Sequence, residues 1–494
     1  MKSECSIKNF FIEFVCIAHV ILFVYAAVSK IIEFESFEVQ LGKSPLLSAF
    51  AFWIARFVPA TELLIAALLL LPRLKKTGLY MALNLMVMFS VYIFIILHYS
   101  SFIPCSCGGV LEKMSWNTHL VFNIIFILLA LIAILVLEQN TYKKNILKII
   151  IPVLSSTAIV VILYLQSERI MHYENPFTRR YPNHPAVFKN SYDLKYNSYY
   201  FAGNSGNKLY LGNYSTPLYL SEFDAELKSS KKIKIVFNPK KNVLFNTVKI
   251  LVCDSLFYLS DGSIAKLYKG KTIDWEITKE YKKMSYFTTY APMNSGGIFL
   301  RSNDPKTLDN ILGIYTQSDS TIKYYRELLQ KQIDGIFDTD GALLYSRKMN
   351  KGIYLYYYRN EFFIINPDGN LESRNHTIDT ISKVNLKVAY TKNGSVREIS
   401  SPAQAVNAHA AINGNLLFVN SQVKGKYEND ELWKKSFIID VYDLEKKTYL
   451  MSFPVYKTKS DKLIYLHVSA NYLYAIIGTD LVVYELQPIL IKEL

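Results

Sequence analysis

The sequence predicts a multi-pass α-helical membrane bundle of about five spans, followed by an all-β soluble domain of β-propeller type. Three observations predict it. Long uncharged apolar runs are confined to the first third of the 494 residues. The remainder is rich in Tyr, Asn, Asp, Gly and Lys, and alternates short apolar runs with tight-turn pairs. Between two of the long runs, Cys105 and Cys107 stand one residue apart and are followed by Gly108-Gly109.

Taken in order, the divisions are a four-helix membrane domain at 1–140, a fifth helix at 141–166, a linker at 167–190 and a β domain at 191–494. A chain of this length exceeds one ordinary core. Hydrophobic residues make up 51% of it, and its mean hydropathy of +0.14 is high for a uniformly soluble protein. The net charge of +14 could serve nucleic acid or an anionic membrane surface. The lysines are scattered, however, with no dense basic block or recognition-helix pattern, so no nucleic-acid partner is expected. One cysteine in the whole β region excludes a disulfide scaffold.

Five runs reach the roughly 20 apolar residues that a bilayer needs. They are Phe10–Ile32, Leu46–Leu71, Leu79–Ile103, Leu120–Leu137 and Ile146–Leu165. No signal-peptide cleavage pattern is evident, and the first run reads as a retained span. Lys2 and Lys8, then Arg73, Lys75 and Lys76, then Lys143 and Lys144 mark alternate connections as cytoplasmic. That places the Glu33–Lys43 loop, the cysteine loop and everything after about Ser167 outside. The expected location is a bacterial inner membrane, with a cytoplasmic N-terminus and a periplasmic C-terminal domain.

An extracytoplasmic compartment lets disulfides form and persist. A Cys-x-Cys disulfide closes a small, strained ring, and strained pairs tend to be labile and oxidising. Gly108 and Gly109 permit the backbone angles of such a turn. Cys105 and Cys107 are therefore the candidate redox pair. A structural disulfide, two packed thiols or a metal pair are the alternatives. The last would need further ligands, and His98 and His119 have no recognised zinc spacing, so no metal is assigned. Lys113 or His119 could assist thiolate formation.

His19, Arg56, Glu62, Asn84 and Asn123 fall inside spans, where ionisable groups are costly and face a bundle interior. Glu62 is the candidate site residue among them, as a quinone-binding group or proton relay, with a structural interhelical contact as the alternative. No cofactor motif is evident; a quinone is the one candidate. Cys5 and Cys16 read as structural.

Tyr25-Ala26-Ala27-Val28-Ser29-Lys30-Ile31-Ile32-Glu33-Phe34 with Phe37, then Phe57-Val58-Pro59-Ala60-Thr61-Glu62-Leu63, then Pro104-Cys105-Ser106-Cys107-Gly108-Gly109-Val110-Leu111 with Trp116, His119 and Asn123, carry a resemblance. Together they resemble the MauE-type membrane family of methylamine utilisation, within the broader DoxX-like group, over about Asn9 to Leu137. The resemblance implies a role in methylamine metabolism, through helping disulfides form in a periplasmic dehydrogenase subunit. It also implies that Cys105 and Cys107 are the redox pair. The fifth span and the large outer domain depart from that family, so another envelope client fits as well.

In the β region, Pro176, Pro182 and Pro185 punctuate the linker. Asp261-Gly262, Asn294-Ser295-Gly296, Asp340-Gly341, Pro367-Asp368-Gly369 and Asn413-Gly414 then punctuate runs such as Leu256–Leu259, Ile353–Tyr358 and Leu416–Val419. Units recur every roughly 40–60 residues, near the length of a propeller blade. About six blades are expected, with a pair of antiparallel sandwiches as the alternative. Ile322–Gln332 is expected to be a surface helix, and Cys253 a buried core thiol. His172, His184, His376, His409 and His467 are dispersed, and neither a phosphate loop nor Gly-x-Ser-x-Gly appears. The 37 tyrosines of the chain read mainly as packing.

The resulting expectation is a redox-associated protein of the inner membrane. It would exchange thiol–disulfide electrons with a periplasmic thioredoxin-like or client protein, and its propeller would recognise that client. A non-redox anchored sensor or binding scaffold is the rival. A transporter is disfavoured by the few intramembrane charges and the absence of a broken-helix repeat.

Overall fold

A computed structural model describes residues 2–34, 37–38, 41, 47–99, 114–138, 142–170, 177–238, 243–386, 388–391, 396–399 and 405–493. The chain divides into two compact units, Met1–Asn183 with Gly425–Glu428, and His184–Lys424 with Asn429–Leu494.

The first unit contains α1 (Lys2–Ile32), α2 (Ala51–Leu70), α3 (Lys75–Tyr99), α4 (Trp116–Leu137) and α5 (Tyr142–Arg169). All five are long and apolar enough to cross a membrane. Phe23, Ile65, Leu69, Leu79, Met86 and Ile134 form the bundle core. The outward faces are equally apolar: Ile21, Phe57 and Leu154 are each more than 60% exposed. Water would penalise such a surface, whereas lipid accepts it. Pro59 interrupts the hydrogen bonds of α2, and Thr61 Oγ1 donates back to the Phe57 carbonyl at 2.8 Å. Asn84 and Ser156 join α3 to α5, Ser156 Oγ donating to Asn84 Oδ1 at 3.0 Å. At the start of α4, Ser115 Oγ accepts from the Thr118 amide, a side-chain N-cap.

Among the described residues, the second unit contains four four-stranded antiparallel sheets and one eight-stranded sheet. The latter is made of two four-stranded antiparallel meanders, sheets 1 and 2, joined by a short parallel pairing of Gly203 and Asn204 with Val252 and Cys253. Sheet 1 runs from Tyr199–Ser205 to Ser230–Lys234, and sheet 2 from Lys249–Cys253 to Ile277–Glu280. Sheet 3 runs from Thr289–Pro292 to Thr321–Tyr325, sheet 4 from Gly341–Ser346 to Leu371–His376, and sheet 5 from Asn407–Asn413 to Thr448–Tyr456. Sheet 6 comprises Leu463–Ser469, Tyr472–Ile477 and Asp480–Leu486, and its fourth strand is Ala186–Asp193, from the start of the unit. A short hairpin, Val388–Thr391 with Val396–Ile399, precedes sheet 5.

Neighbouring sheets share apolar layers. Tyr210 and Leu220 meet Phe257 and Leu259 between sheets 1 and 2. Leu209 and Leu211 meet Ile476 and Leu481 between sheets 1 and 6. Phe418 and Ile439 meet Leu473 and Val482 between sheets 5 and 6. This succession of four-stranded meanders is propeller-like, as the turn spacing predicts. Tyrosines fill these layers: Tyr258, Tyr315, Tyr354, Tyr356 and Tyr442 are almost fully buried. Their hydroxyls find partners, Tyr354 donating to the Thr339 carbonyl at 2.7 Å.

Three details differ from the sequence reading. Ile322–Gln332 is not a helix. Thr321–Tyr325 is the outer strand of sheet 3, paired from Thr316↔Thr321 to Leu312↔Tyr325. Its Thr-Ile-Lys-Tyr-Tyr sequence suits a half-buried strand, and turns follow it, organised by Asp338, which accepts the amides of Gln332, Ile333 and Gly335. Cys253 is the last residue of its strand and only part-buried. Asp340-Gly341 is not a hairpin turn; Gly341 opens sheet 4, so the pair lies between sheets.

Candidate functional site

The helical unit encloses an apolar cavity of about 220 Å³. Phe23, Phe89, Tyr92, Trp116 and Phe122 supply most of its aromatic wall. Lys30 near the end of α1, Glu62 in α2, and His119 and Asn123 near the start of α4 reach it, and Tyr25, Ser29, Tyr92 and Trp116 add hydroxyl or N–H groups to its lining.

Helix spacing explains this convergence. Trp116, His119 and Asn123 follow i, i+3 and i+7 and so share one face of α4. The rings of Trp116 and His119 lie nearly parallel with centroids 6.3 Å apart. In α2, Ala55, Pro59, Glu62, Ile65, Ala66 and Leu69 are buried, so Glu62 belongs to the inward stripe. Its carboxylate meets Lys30, whose Nζ donates to Glu62 Oε1 at 2.6 Å. Glu62 is fully buried, and the Lys30 side chain is 18% exposed. The Lys30 ammonium also lies 5.8 Å from the Phe89 ring centroid and 5.9 Å from that of Phe37. Two polar atoms of the site are buried without a hydrogen-bond partner, Glu62 Oε2 and Asn123 Nδ2.

Two of the sequence-predicted site residues, Glu62 and His119, therefore line one cavity. Cys105 and Cys107, with Lys113, lie outside the described residues. Segment 100–113, which carries them, connects α3 to α4, and Trp116 follows Cys107 by nine positions. The other in-span polar residues go elsewhere. Arg56 does not meet Glu62; its Nη1 donates to the Phe52 carbonyl at 2.7 Å and approaches Glu38 at 3.3 Å. His19 bonds through Nδ1 with the Val15 carbonyl at 2.8 Å and packs edge-on against Phe126. His98 stacks on Phe94, centroids 4.4 Å apart. Among the described residues, no three His, Cys, Asp or Glu side chains gather as metal ligands would.

Lys30 is the residue that sequence reasoning missed. It reads as the charged end of a span, yet it is the counter-ion of Glu62. The available signal was one acid deep in a span and one base near the end of the preceding span.

Residues 8–136 match the family model described as methylamine utilisation protein MauE. Segment 100–113, with Cys105 and Cys107, lies within the MauE match, as do Lys30, Glu62, His119 and Asn123 of the cavity. With five membrane-span candidates and a MauE region, the chain is a multi-pass membrane protein. The fifth helix and the β unit lie beyond the match. No curated protein matches the chain.

Three solved structures resemble the β-rich part. A DUF4221 family member from Bacteroides vulgatus shares 14% identity at a TM-score of 0.39, covering 61% of this chain and 97% of that one. Virginiamycin B lyase from Staphylococcus aureus shares 10% at a TM-score of 0.36, over 60% and 99%. BamB from Moraxella catarrhalis shares 11% at 0.31, over 58% and 85%.

Proposed function

We propose that the helical unit is a thiol–disulfide exchange module of the bacterial inner membrane, with Cys105 and Cys107 as its redox pair on the periplasmic side. A client dithiol would attack the Cys105–Cys107 disulfide through its thiolate, giving a mixed disulfide. The second client thiol would resolve it. The client leaves oxidised by two electrons, and Cys105 and Cys107 become thiols. The β unit, on the same side by the alternation of Lys and Arg at the span ends, would hold the client or a thioredoxin-like partner.

The observation that carries this reading is positional. The helix ends joined by the cysteine segment flank a cavity that contains a buried ion pair and a histidine, within the region that matches MauE. Buried ionisable groups in a membrane domain are costly, and they point to function before architecture. The family description suggests methylamine utilisation as the process served. A maturing periplasmic dehydrogenase subunit would then be the client.

The test is the redox state of the pair in cells. Thiols are trapped in acid and tagged by mass, before and after a mild reductant pulse and in Cys105→Ser. A pair that cycles, with a mixed disulfide accumulating in Cys105→Ser, supports exchange and identifies the client. A pair that stays fixed, with no trapped partner, refutes it and leaves the membrane-anchored binding scaffold as the function.

A further inference from the structure

We infer that the cavity lined by all five helices binds the head of a membrane quinone, held by Asn123 and the Lys30–Glu62 pair.

The cavity is larger than the roughly 150 Å³ engineered cavity that admits benzene, so one or two fused quinoid rings fit its 220 Å³. A whole isoprenoid tail does not fit. Tyr25 lines the cavity while being 41% exposed on the bundle surface, which gives a tail a way out into lipid.

The unpaired polar atoms choose the ligand class. Asn123 is 2% exposed and presents an N–H without an acceptor; Glu62 is fully buried and presents Oε2 without a donor. An acyl chain would fill the space and leave both unpaired, at about 1–3 kcal/mol each. A quinone carbonyl accepts from Asn123 Nδ2. The corresponding quinol O–H donates to Glu62 Oε2. The Lys30 ammonium, already bonded to Glu62 Oε1, stabilises negative charge on a ring oxygen as electrons arrive. The quinone thus pairs Asn123, and the quinol pairs both orphaned atoms.

Electron transfer here rests on the thiol–disulfide reading; binding does not. In the transfer, the Cys105–Cys107 dithiol becomes a disulfide, and its two electrons and two protons convert the quinone to the quinol.

The test uses the purified full chain in quinone-free detergent micelles, with menadione as the probe in equilibrium dialysis. Thermal melts check that each variant is folded. Saturable binding at one menadione per chain is expected. It should weaken about tenfold in Asn123→Leu, the loss of one hydrogen bond in an apolar site. It should vanish in Val58→Phe, which fills the cavity, and persist in the Cys105→Ser/Cys107→Ser double variant. No saturable binding to the wild type, equal binding in both cavity variants, or a co-purified phospholipid that menadione cannot displace would each overturn the inference. A separate arm follows reduction of menadione by the pre-reduced wild type. Binding without reduction removes the thiol–disulfide reading and leaves the quinone site standing.

Discussion

Lys30 Nζ and Glu62 Oε1 lie 2.6 Å apart, joining the end of α1 to the middle of α2 across 32 residues of sequence. Two charges largely removed from water hold each other in place there.

Breaking one side of that pair should cost more than removing both. Glu62→Leu strands the Lys30 ammonium and Lys30→Met strands a fully buried carboxylate, so each should destabilise the bundle by about 3 kcal/mol. The double variant should recover most of the loss. Asn84→Leu, which removes a neutral interhelical contact, should cost only about 0.6 kcal/mol. Loss of helical circular dichroism on heating in micelles ranks all four; a double variant weaker than both singles would contradict the pairing.

A neutral histidine should make the β unit sensitive to mild acid. His467 in sheet 6 bonds through Nε2 with Asn204 Oδ1 of sheet 1 at 3.2 Å and stacks on Phe201. Burial holds its pKa down to about 4, against 6.5 when free. The unfolded chain therefore binds the proton first. The stabilisation is complete above pH 6.5 and falls as pH drops from 6.5 to 4, by up to about 1.4 kcal/mol per pH unit. His467→Phe should flatten that window in pH-dependent urea unfolding followed by near-ultraviolet circular dichroism.

A second acid transition should lie lower, and Asp261 should contribute to it, as should Asp224, whose carboxyl is held down, against the upward push of burial, by the amides of Glu226, Lys228 and Ser229. Burial would raise the pKa of Asp261, but hydrogen bonds from Ser263, Thr247 and Asn246 overrule it and hold the carboxyl below 3.8. Its stabilisation is present above pH 3.8 and is lost as pH falls through the lower folded value. Asp261→Ala should cost about 3 kcal/mol at pH 7, because it leaves three amides without their acceptor. In the acid titration it should shrink the lower transition and leave the His467 window intact.

Gly203 should tolerate no side chain. Its φ is +129°, and it faces Val252 where sheets 1 and 2 pair in parallel. A Cβ there would drive into the Val252 carbonyl oxygen. Gly203→Ala should lower stability by about 3 kcal/mol through backbone strain and overpacking, seen as a fall in the urea midpoint. Gly206→Ala provides the contrast: its φ is also positive, but open space surrounds it, so its cost should stay near 1 kcal/mol.

The order of elements was legible in the sequence because each signal is local. A span is a run of apolar residues long enough to cross hydrocarbon, and a strand pair is an alternation punctuated by Asn-Gly or Gly-rich turns. The five spans and most strands lie where those signals put them. The error at Ile322–Gln332 has the same origin. Tyr-Tyr-Arg-Glu-Leu-Leu-Gln is compatible with a helix by itself, and pairing with Asn310–Thr316 makes its first part a strand. Propensity differences of tenths of a kcal/mol cannot compete with a row of ladder bonds and a buried face.

By itself, the sequence determined the membrane third, the propeller-like remainder, the Cys-x-Cys pair and the presence of a carboxylate within a span. Only the tertiary structure decided what that carboxylate does. Sequence distance hides that Lys30 reaches Glu62, that Asn123 and His119 open onto the same cavity, and that Arg56 turns away to Phe52 and Glu38. It also hides that the strand Ala186–Asp193 completes a sheet whose other three strands lie almost 300 residues later. The physical reason is common to all of these. Apolar length and turn chemistry are properties of neighbouring residues, whereas the pairing of a buried charge or an edge strand is settled by whichever partner the packed chain brings within about 3 Å.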